Sequence, residues 1–231
     1  MTKVLKSHII VLCILIQAAT AGAQLSLDIG LNVSSFTGNQ LRSLISDFNQ
    51  SLPQDARKMK RMNIIPGITG GITYHIGPML LLAEYNGMFS SATAKRLINI
   101  DGNKYNFVLN ISGNAAGAGI GSMFGDRLSL GLFANYNWYS AYQFLSTDTK
   151  NKNRLINQQF WGIKPFIDII LSNQDYVDVS LRAFYCYPLG TINLRSLADK
   201  LDPDSSSGLT NAQLNFKPNM LGISLIFHNK R

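Results

Sequence analysis

A two-residue alternation of apolar and polar side chains recurs eight times along this chain, and it constrains the fold more than any other feature. In residues 25–34, Leu25, Leu27, Ile29, Leu31 and Val33 alternate with polar or small residues. This period is typical of a β-strand whose two faces meet different surroundings. The other predicted strands lie at about 64–76, 79–91, 104–123, 128–138, 161–169, 177–187 and 221–227. We therefore expect an all-β protein with eight strands.

The connections between these strands alternate in length. Short segments rich in turn residues join strands two and three, four and five, and six and seven, at 77–78, 125–126 and 172–175. The other connections are long, at about 36–63, 93–103, 140–157 and 189–211. Short turns at one end and long loops at the other are the plan of a membrane barrel. The predicted fold is an eight-stranded antiparallel up-and-down transmembrane β-barrel, with periplasmic turns and extracellular loops.

The aliphatic face of these strands, which in 104–123 includes Leu109 and Ile111, is predicted to meet lipid, and the polar face, which there includes Asn110, to face inward. Aromatic residues lie near the strand ends, as in the interfacial girdles of membrane barrels. They are Tyr74, Tyr85, Tyr105, Trp138, Trp161, Tyr185 and Tyr187. A soluble ligand-binding barrel would instead turn its aliphatic face inward and its charges outward.

The opposite face carries charges that are predicted to fill the lumen. They are Asp28, Glu84, Lys164, Asp168, Asp178 and Arg182. Eight strands enclose only enough room for side chains. A lone buried charge is costly, so we expect Lys164 and Arg182 to pair with the acids and plug the barrel. A narrow pore for ions or small solutes is the alternative.

The first 23 residues have the layout of a secretory signal peptide. Lys3 and Lys6 precede the apolar run 9–16, and Ala21 to Ala23 offer a cleavage site. The run is shorter than the roughly 20 residues that a spanning helix needs, and a retained anchor is the alternative. We expect Sec-dependent export to the outer membrane and one barrel domain, 24–231. Its only cysteine would be Cys186, so no internal disulfide can form.

Two segments depart from simple alternation. Leu41, Leu44, Ile45 and Phe48 have helical spacing in the first long loop. They predict a short helix that covers the barrel mouth or, alternatively, lies on the membrane surface. The segment 113–121 is rich in Gly and Ala, which predicts either a bulge or sharp bend, or a place where another backbone or a bulky inner side chain comes close.

Four of the strand sequences resemble those of a known family, the small PorT-like outer-membrane β-barrels of the Bacteroidota. The residues that carry the resemblance are Gly30–Ser34, Pro66–Gly71, Glu84–Tyr85 with Ser90, Ser91 and Lys95, and Leu221–Phe227. The resemblance implies an outer-membrane barrel whose last aromatic residue, Phe227, is read by the barrel-assembly machinery. The chain departs from the family in lacking a proline in strand four and in continuing beyond Phe227.

The sequence offers no recognisable catalytic or metal-binding pattern. After residue 23 it has two histidines, His75 near a turn and His228, which we place in a C-terminal tail. Neither belongs to a cluster with metal-ligand spacing. We expect a non-enzymatic barrel without cofactor or metal, serving as a structural, adhesion or assembly-partner component. A lipid-modifying enzyme that uses His75 is the alternative.

The long connections carry most of the basic residues and fewer acids. The predicted extracellular basic rim consists of Arg57, Lys58, Lys60, Arg61, Lys95, Arg96, Lys150, Lys152 and Arg154. Such a rim can pair with lipopolysaccharide phosphates or other anionic polymers. A solvated rim adapted to the lipid leaflet is the simpler alternative. We expect outer-membrane lipid, lipopolysaccharide, the assembly machinery and an envelope protein as partners, and no nucleic acid.

Overall fold

The computed structural model describes residues 24–51, 58–60, 64–100, 103–145, 148–174, 176–201 and 214–229. Eight long strands form a closed antiparallel barrel in which chain neighbours pair and the last strand closes onto the first. These strands are β1 (Gln24–Phe36), β2 (Ile65–Ile76), β3 (Met79–Ile100), β4 (Asn103–Phe124), β5 (Leu128–Leu145), β6 (Asp148–Asn173), β7 (Val177–Pro188) and β10 (Met220–Asn229). The predicted fold class is confirmed. The predicted signal peptide lies outside the described residues.

The short connections gather at one end of the barrel, which we call the turn end. Gly77 and Gly125 have φ angles of +57° and +65° in the β2–β3 and β4–β5 turns. L-residues rarely adopt this left-handed conformation, so glycine suits both positions. The two barrel termini, Gln24 and Asn229, also lie at this end, where Gln24 is the register partner of His75 and Asn229 that of Val177.

The opposite end, which we call the loop end, is covered by a cap of short elements. The cap consists of α1 (Gln40–Ser51), β8 (Ile192–Asn193), α2 (Arg195–Leu201) and β9 (Asn215–Phe216). The apolar face of α1 is buried against the barrel mouth, with Ile45 and Phe48 each 1% exposed. The predicted helix is confirmed, and it covers the mouth.

Two of the expected long loops are strands instead. The β3–β4 ladder continues to Ile100 and Asn103, and the β5–β6 ladder continues to Leu145 and Asp148. The loops predicted at 93–103 and 140–157 were therefore wrong. The alternation fades there because no lipid requires one apolar face, whereas backbone pairing continues.

These extensions form a protruding sheet, made of residues 89–100, 103–114, 138–145 and 148–161 of β3 to β6. The β2–β3 ladder ends at Gly67 and Met88, and the β6–β7 ladder starts at Gly162 and Pro188. Beyond these points β3 and β6 pair with one barrel neighbour each. The sheet therefore rises above the rest of the barrel on one side.

The predicted faces of β4 are reversed in its loop-end half. Leu109, which we expected outside, is fully buried inside, and Ile111 packs against the same inner cluster. Asn110, which we expected inside, pairs in register with Ser91, which is on the outer face. The error arose because apolar residues were assigned outward along the whole strand, although lipid surrounds only part of it.

The Gly-rich segment of β4 pairs with both neighbours without a bulge. Its glycines instead make room for bulky inner side chains. A Cβ atom at Gly113 would lie 2.7 Å from Tyr139 Cε1, and one at Gly119 would lie 2.6 Å from Phe133 Cδ1. The alternative of a close inner side chain is confirmed.

Candidate functional site

Four of the predicted lumen charges form a continuous chain of ion pairs across the barrel. Glu84 on β3 binds Lys164 on β6 through Oε1. Its Oε2 lies 2.6 Å from Arg182 Nη1 on β7, which lies four strands from β3 around the barrel. Arg182 Nη2 in turn lies 2.8 Å from Asp168 Oδ2 on β6. All four side chains are buried, so each charge is compensated inside the lumen.

Three inward phenylalanines surround the two cations. Lys164 Nζ lies 4.4 Å from the ring centre of Phe133, and Arg182 Cζ lies 4.6 Å from that of Phe166. Phe184 also contacts Lys164, at 5.3 Å. Cation–π attraction strengthens when the cation is desolvated. We call Glu84, Lys164, Asp168 and Arg182, with these three rings, the ion–aromatic plug.

The phenylalanines were not part of the predicted lumen set. They interrupt the polar face of β5, β6 and β7 at Phe133, Phe166 and Phe184. The glycine opposite each ring is a sequence signal that could have found them. At Gly119, Gly131 and Gly222 the space that a Cβ atom would occupy lies against Phe133, Phe166 and Phe184, respectively.

Asp28 does not join the plug. It accepts hydrogen bonds from Ser26 and Thr73, and its Oδ1 lies 2.8 Å from His228 Nδ1. His228 was expected in a tail, which was wrong, because β10 continues to Asn229 and orients the ring inward. In register, His228 faces Asp28 on one side and Asp178 on the other.

Ser180, His228 and Asp28 stand in the order of a hydrolase triad. Ser180 Oγ lies 2.8 Å from His228 Nε2, the ring nitrogen opposite the one near Asp28. Ser180, however, is 0% exposed and pairs with Ile226 and Ile170 inside the ladder. In this structure the hydroxyl is therefore closed to a substrate carbonyl, and the three side chains form a buried hydrogen-bonded chain.

A cavity of about 390 Å³ opens between the plug and the turn end. Its polar lining includes Thr73, His75, Asp168, Asp178 and His228. We call it the turn-end cavity. His75 lies at this cavity, at the opposite end of the barrel from the cap.

The lumen is also filled on the loop-end side of the plug. The rings of Tyr139 and Phe160 stack with centres 5.5 Å apart, and Phe36 meets Phe216 edge-on at 5.2 Å. These rings and the buried side chains of the cap form one apolar cluster, which we call the cap cluster. The lumen is therefore occupied at two successive levels.

An aromatic girdle encircles part of the outer face. The ring centre of Trp138 lies 6.1 Å from that of Tyr85 and 6.3 Å from that of Tyr136, which in turn lies 5.3 Å from Trp161. Towards the turn end the outer face is aliphatic, with Ile29 71% exposed. From Leu128 to Trp138, β5 has 11 residues, within the 9–11 that a tilted membrane strand needs. The chain is a small transmembrane β-barrel.

Other predicted girdle residues are also on the outer face, except where the structure does not describe them. Tyr74, Tyr185 and Tyr187 are half-buried or exposed. The side chain of Tyr105 lies outside the described part.

Within the described ranges, no helix is long and apolar enough to cross a membrane. No group of three or more His, Cys, Asp or Glu among those residues is placed to hold a metal ion.

The structure describes part of the predicted basic rim. Lys58 and Lys60 are exposed on either side of Met59, which is buried beside α1 and bonded to Asn49 of that helix through both backbone groups. Arg154 is exposed on β6, with its Cζ 5.8 Å from the ring centre of Tyr142. Arg57 and Arg61 lie outside the described residues, as do the side chains of Lys95, Arg96, Lys150 and Lys152, whose backbones belong to β3 and β6.

The predicted assembly signal, Phe227, lies on the lipid-facing side of β10. It is 43% exposed and is the register partner of Ile29 on β1 and Val179 on β7. Residues 228 and 229 continue the strand beyond it.

Comparison with known proteins finds similar folds and no established family. No protein-family model and no curated protein matches the chain. Among solved structures, Ail, the attachment invasion locus protein of Yersinia pestis, in complex with the heparin analogue sucrose octasulfate, is 9% identical with a TM-score of 0.44, covering 90% of this chain and 96% of that one. Neisserial surface protein A is 12% identical with a TM-score of 0.41, covering 91% and 97%. The outer membrane protein OprG from Pseudomonas aeruginosa is 8% identical with a TM-score of 0.41, covering 90% and 93%. No function is carried over from these low similarities.

Proposed function

We propose that this protein is a non-enzymatic outer-membrane barrel with a closed lumen, which acts through its loop-end surface as an adhesion or assembly-partner component. The observation that carries the proposal is the filling of the lumen by the ion–aromatic plug and again by the cap cluster. With the interior filled, the surfaces left for function are those exposed at the two ends. The turn end, where both barrel termini lie, faces the periplasm in this proposal, and the cap and protruding sheet face outward.

A small pore is the competing function, and conductance separates the two. In a planar bilayer the purified barrel is expected to show no defined unitary conductance. Arg182→Ala, which removes the cation shared by Glu84 and Asp168, is expected to destabilise the barrel and to leave the cap cluster in place. A steady wild-type channel whose conductance changes in Arg182→Ala would replace the proposal with the pore.

The proposed partner surface is the protruding sheet with the basic residues that lie on its strands. Lys95, Arg96, Lys150, Lys152 and Arg154 all lie on strands of this sheet, whose exposed position suits contact with a polyanion. Charge attraction of this kind is long-ranged and weakens with added salt. Lipopolysaccharide phosphates and anionic surface polymers are the proposed ligands.

Binding of purified lipopolysaccharide to the detergent-solubilised barrel tests this surface. A double variant, Lys152→Ala with Arg154→Ala, is expected to weaken binding about fivefold or more at low salt. The matched control is Lys58→Ala with Lys60→Ala, which removes two exposed basic residues beside α1 instead. Equal losses in both variants would indicate a diffuse charged rim without a specific surface.

Export and assembly complete the proposal. The residues 1–23 support Sec-dependent secretion, and the strand resemblances support kinship with the PorT-like barrels. Phe227, exposed on the closing strand β10, is a suitable last aromatic residue for recognition during assembly. Phe227→Ala is expected to reduce the fraction of heat-modifiable barrel in cells, with exposed Leu221→Ala on the same strand as the control.

A further inference from the structure

The outer surface changes character towards the loop end on the side where the barrel closes. This side is formed by β1, β10 and β7, and we call it the seam wall. The outward row at Val33, Ile223 and Ala183 is apolar, as are the two rows before it on the side of the turn end. In the next row towards the loop end the first polar and aromatic side chains appear, Ser35 on β1 and Tyr185 on β7. The lipid-facing part of the seam wall therefore ends at this row.

Lys217 lies on the outer surface of the seam wall just beyond that row. Its Nζ lies 3.8 Å from the ring centre of Tyr187, which is exposed on β7. Tyr187 is the register partner of Ile163, two residues along β6 from the girdle residue Trp161. The cation is therefore held at the level of the aromatic girdle, where the headgroups of lipids lie.

Arg42 reaches the same part of the seam wall from the cap. It belongs to α1, but its Nη2 lies 3.4 Å from Ser35 Oγ and 3.1 Å from the carbonyl oxygen of Phe36, and it donates to both. Ser35 lies on the outer face of β1, since its register partner on β10 is the exposed Leu221. The guanidinium group is therefore fixed at the outer rim of β1 by contacts with the strand.

These two cations lie close together and form no ion pair with any acid that the structure describes. The described carboxylates on strands of the seam wall, Asp28 and Asp178, are buried on the inner face. Only β10 separates β1 from β7, and adjacent strands are spaced by nearly 5 Å, so Arg42 and Lys217 lie roughly 10 Å apart across the wall. Together they form a positive site at the upper edge of an aliphatic surface.

We propose that Arg42 and Lys217 bind the phosphate groups of a membrane lipid whose acyl chains lie along the seam wall. Arginine binds phosphate through paired N–H groups and lysine as a point charge. Below the cations, the exposed side chains of Leu221 and Ile223 offer the apolar surface that acyl chains need. A ligand that is anionic above and aliphatic below matches both features.

The membrane leaflet decides which lipid this is. That the loop end meets the outer leaflet, and that the lipid is therefore lipopolysaccharide with its phosphorylated lipid A, rests on the proposed function. The site itself is distinct from the basic rim, because it lies on the barrel wall and uses none of the rim residues.

A lipid series on the unmutated barrel tests the site without relying on a variant that folds. The full chain in non-ionic detergent micelles is titrated with lipid A that carries two phosphates, one or none, and native mass spectrometry counts the bound lipids. Affinity is expected to fall at least about threefold for each phosphate removed, because each phosphate loses a partly exposed cation as its partner. Inorganic phosphate has no acyl chains and is expected not to displace bound lipid A.

Two double variants then locate the site. Arg42→Gln with Lys217→Gln is expected to weaken binding of the diphosphorylated lipid at least about fivefold and to reduce the differences within the series. Lys58→Gln with Lys60→Gln removes the same charge from exposed positions at the same end of the barrel, and this matched control is expected to change binding less than about twofold. Because Arg42 also holds α1 against β1, Lys217→Gln alone is measured too, with an expected loss of about twofold or more.

Three outcomes would overturn the proposal. They are equal affinity for lipid A with and without phosphates, unchanged binding in Arg42→Gln with Lys217→Gln, and an equal loss in the control variant, which would indicate general charge attraction at the loop end. Displacement of lipid A by inorganic phosphate would assign the two cations to a free anion instead of a lipid. The proposed function fails separately, through a conducting channel or through lipopolysaccharide binding that is insensitive to the rim variant, and neither result changes what is expected of Arg42 and Lys217.

Discussion

The barrel consists of two parts whose interiors and exteriors have opposite polarity. Towards the turn end, the inside holds carboxylates, Lys164 and Arg182, and the outside is aliphatic. Towards the loop end, the inside is an apolar cluster around Leu109 and Tyr139, and polar residues such as Asn110 lie outside. The aromatic girdle at Tyr85, Tyr136 and Trp161 lies between the two parts. One set of continuous strands runs through both.

The difference shows that the surrounding solvent, not the strand itself, decides which face is apolar. Lipid favours an aliphatic outer surface, and the narrow interior then has to accommodate the polar face with its charges paired. Above the girdle, water surrounds the barrel, and burial of apolar residues inside becomes favourable as in a soluble protein. The apolar side chains change from the outer face to the inner face within single strands such as β4.

The largest expected effect comes from unbalancing the polar interior. Glu84→Gln leaves Lys164 and Arg182 buried with Asp168 as their remaining charge partner in the plug. Breaking a buried ion pair in this way costs about 3–5 kcal/mol. Urea unfolding in micelles, followed by tryptophan fluorescence, measures the change. The control is Asp126→Asn on the exposed turn, expected within about 0.5 kcal/mol. A loss below about 1 kcal/mol for Glu84→Gln would mean that water already screens the plug.

The second largest effect is expected from truncating a side chain in the apolar interior, which should destabilise the cap more than the part of the barrel with the polar interior. Ile45→Ala in α1 removes a side chain that is 1% exposed, and such truncations cost about 2–5 kcal/mol. The loss is expected to loosen the cap while the ion–aromatic plug keeps the barrel closed. Limited proteolysis is therefore expected to cleave near α1, and the fragment is expected to stay heat-modifiable. Asp47→Ala on the exposed face of α1 is the control. Global unfolding of the barrel together with the cap would argue against two separable regions.

A third effect compares the two exteriors with one kind of substitution. Ile29→Arg places a charge at the centre of the aliphatic surface and is expected to cost about 2–4 kcal/mol, as at the midplane of a bilayer. Ser91→Arg places the same side chain on the outer face of β3 at the loop end, where it is expected to change stability by less than about 0.5 kcal/mol. Unfolding in lipid vesicles measures both. Similar costs at the two positions would contradict a boundary between them.

The smallest effect concerns the girdle itself. The Tyr85 hydroxyl donates to Asn114 Oδ1 at 2.9 Å, on the exposed outer face. Tyr85→Phe removes this hydrogen bond and keeps the ring, so a loss of about 0.5–1.5 kcal/mol is expected. Tyr176→Phe, exposed at the turn end, serves as the comparison. If Tyr85→Phe is neutral, the ring alone accounts for the stabilisation at this level.

The sequence predicted the part of the fold that lipid shapes. Residues 25–34 alternate strictly, and 128–138 alternate except at Phe133, because one face meets hydrocarbon and the other a packed lumen, so their faces were correct. The extensions of β3 and β6 into the protruding sheet were missed because backbone pairing continues there without that constraint. The reversal at Leu109 was missed for the same reason.

The site was less predictable than the fold. The six lumen charges are visible in the sequence as a polar face, whereas their pairing depends on which strands lie opposite each other. Glu84 and Arg182 are 98 residues apart and meet only because the barrel closes. The inward position of His228 depends on how far β10 extends, and alternation beyond Phe227 is too short to show it.

Depth-dependent quenching of the two tryptophans by brominated lipids tests the reversal of faces most directly. Trp138 and Trp161 are the only tryptophans in the chain, and both belong to the girdle. In lipid vesicles, quenching is expected to be strongest with bromines attached near the headgroups and weaker with bromines at the bilayer centre. Absence of quenching by any brominated lipid, in a chain that stays folded without detergent, would contradict the account and place the aliphatic face elsewhere than in lipid.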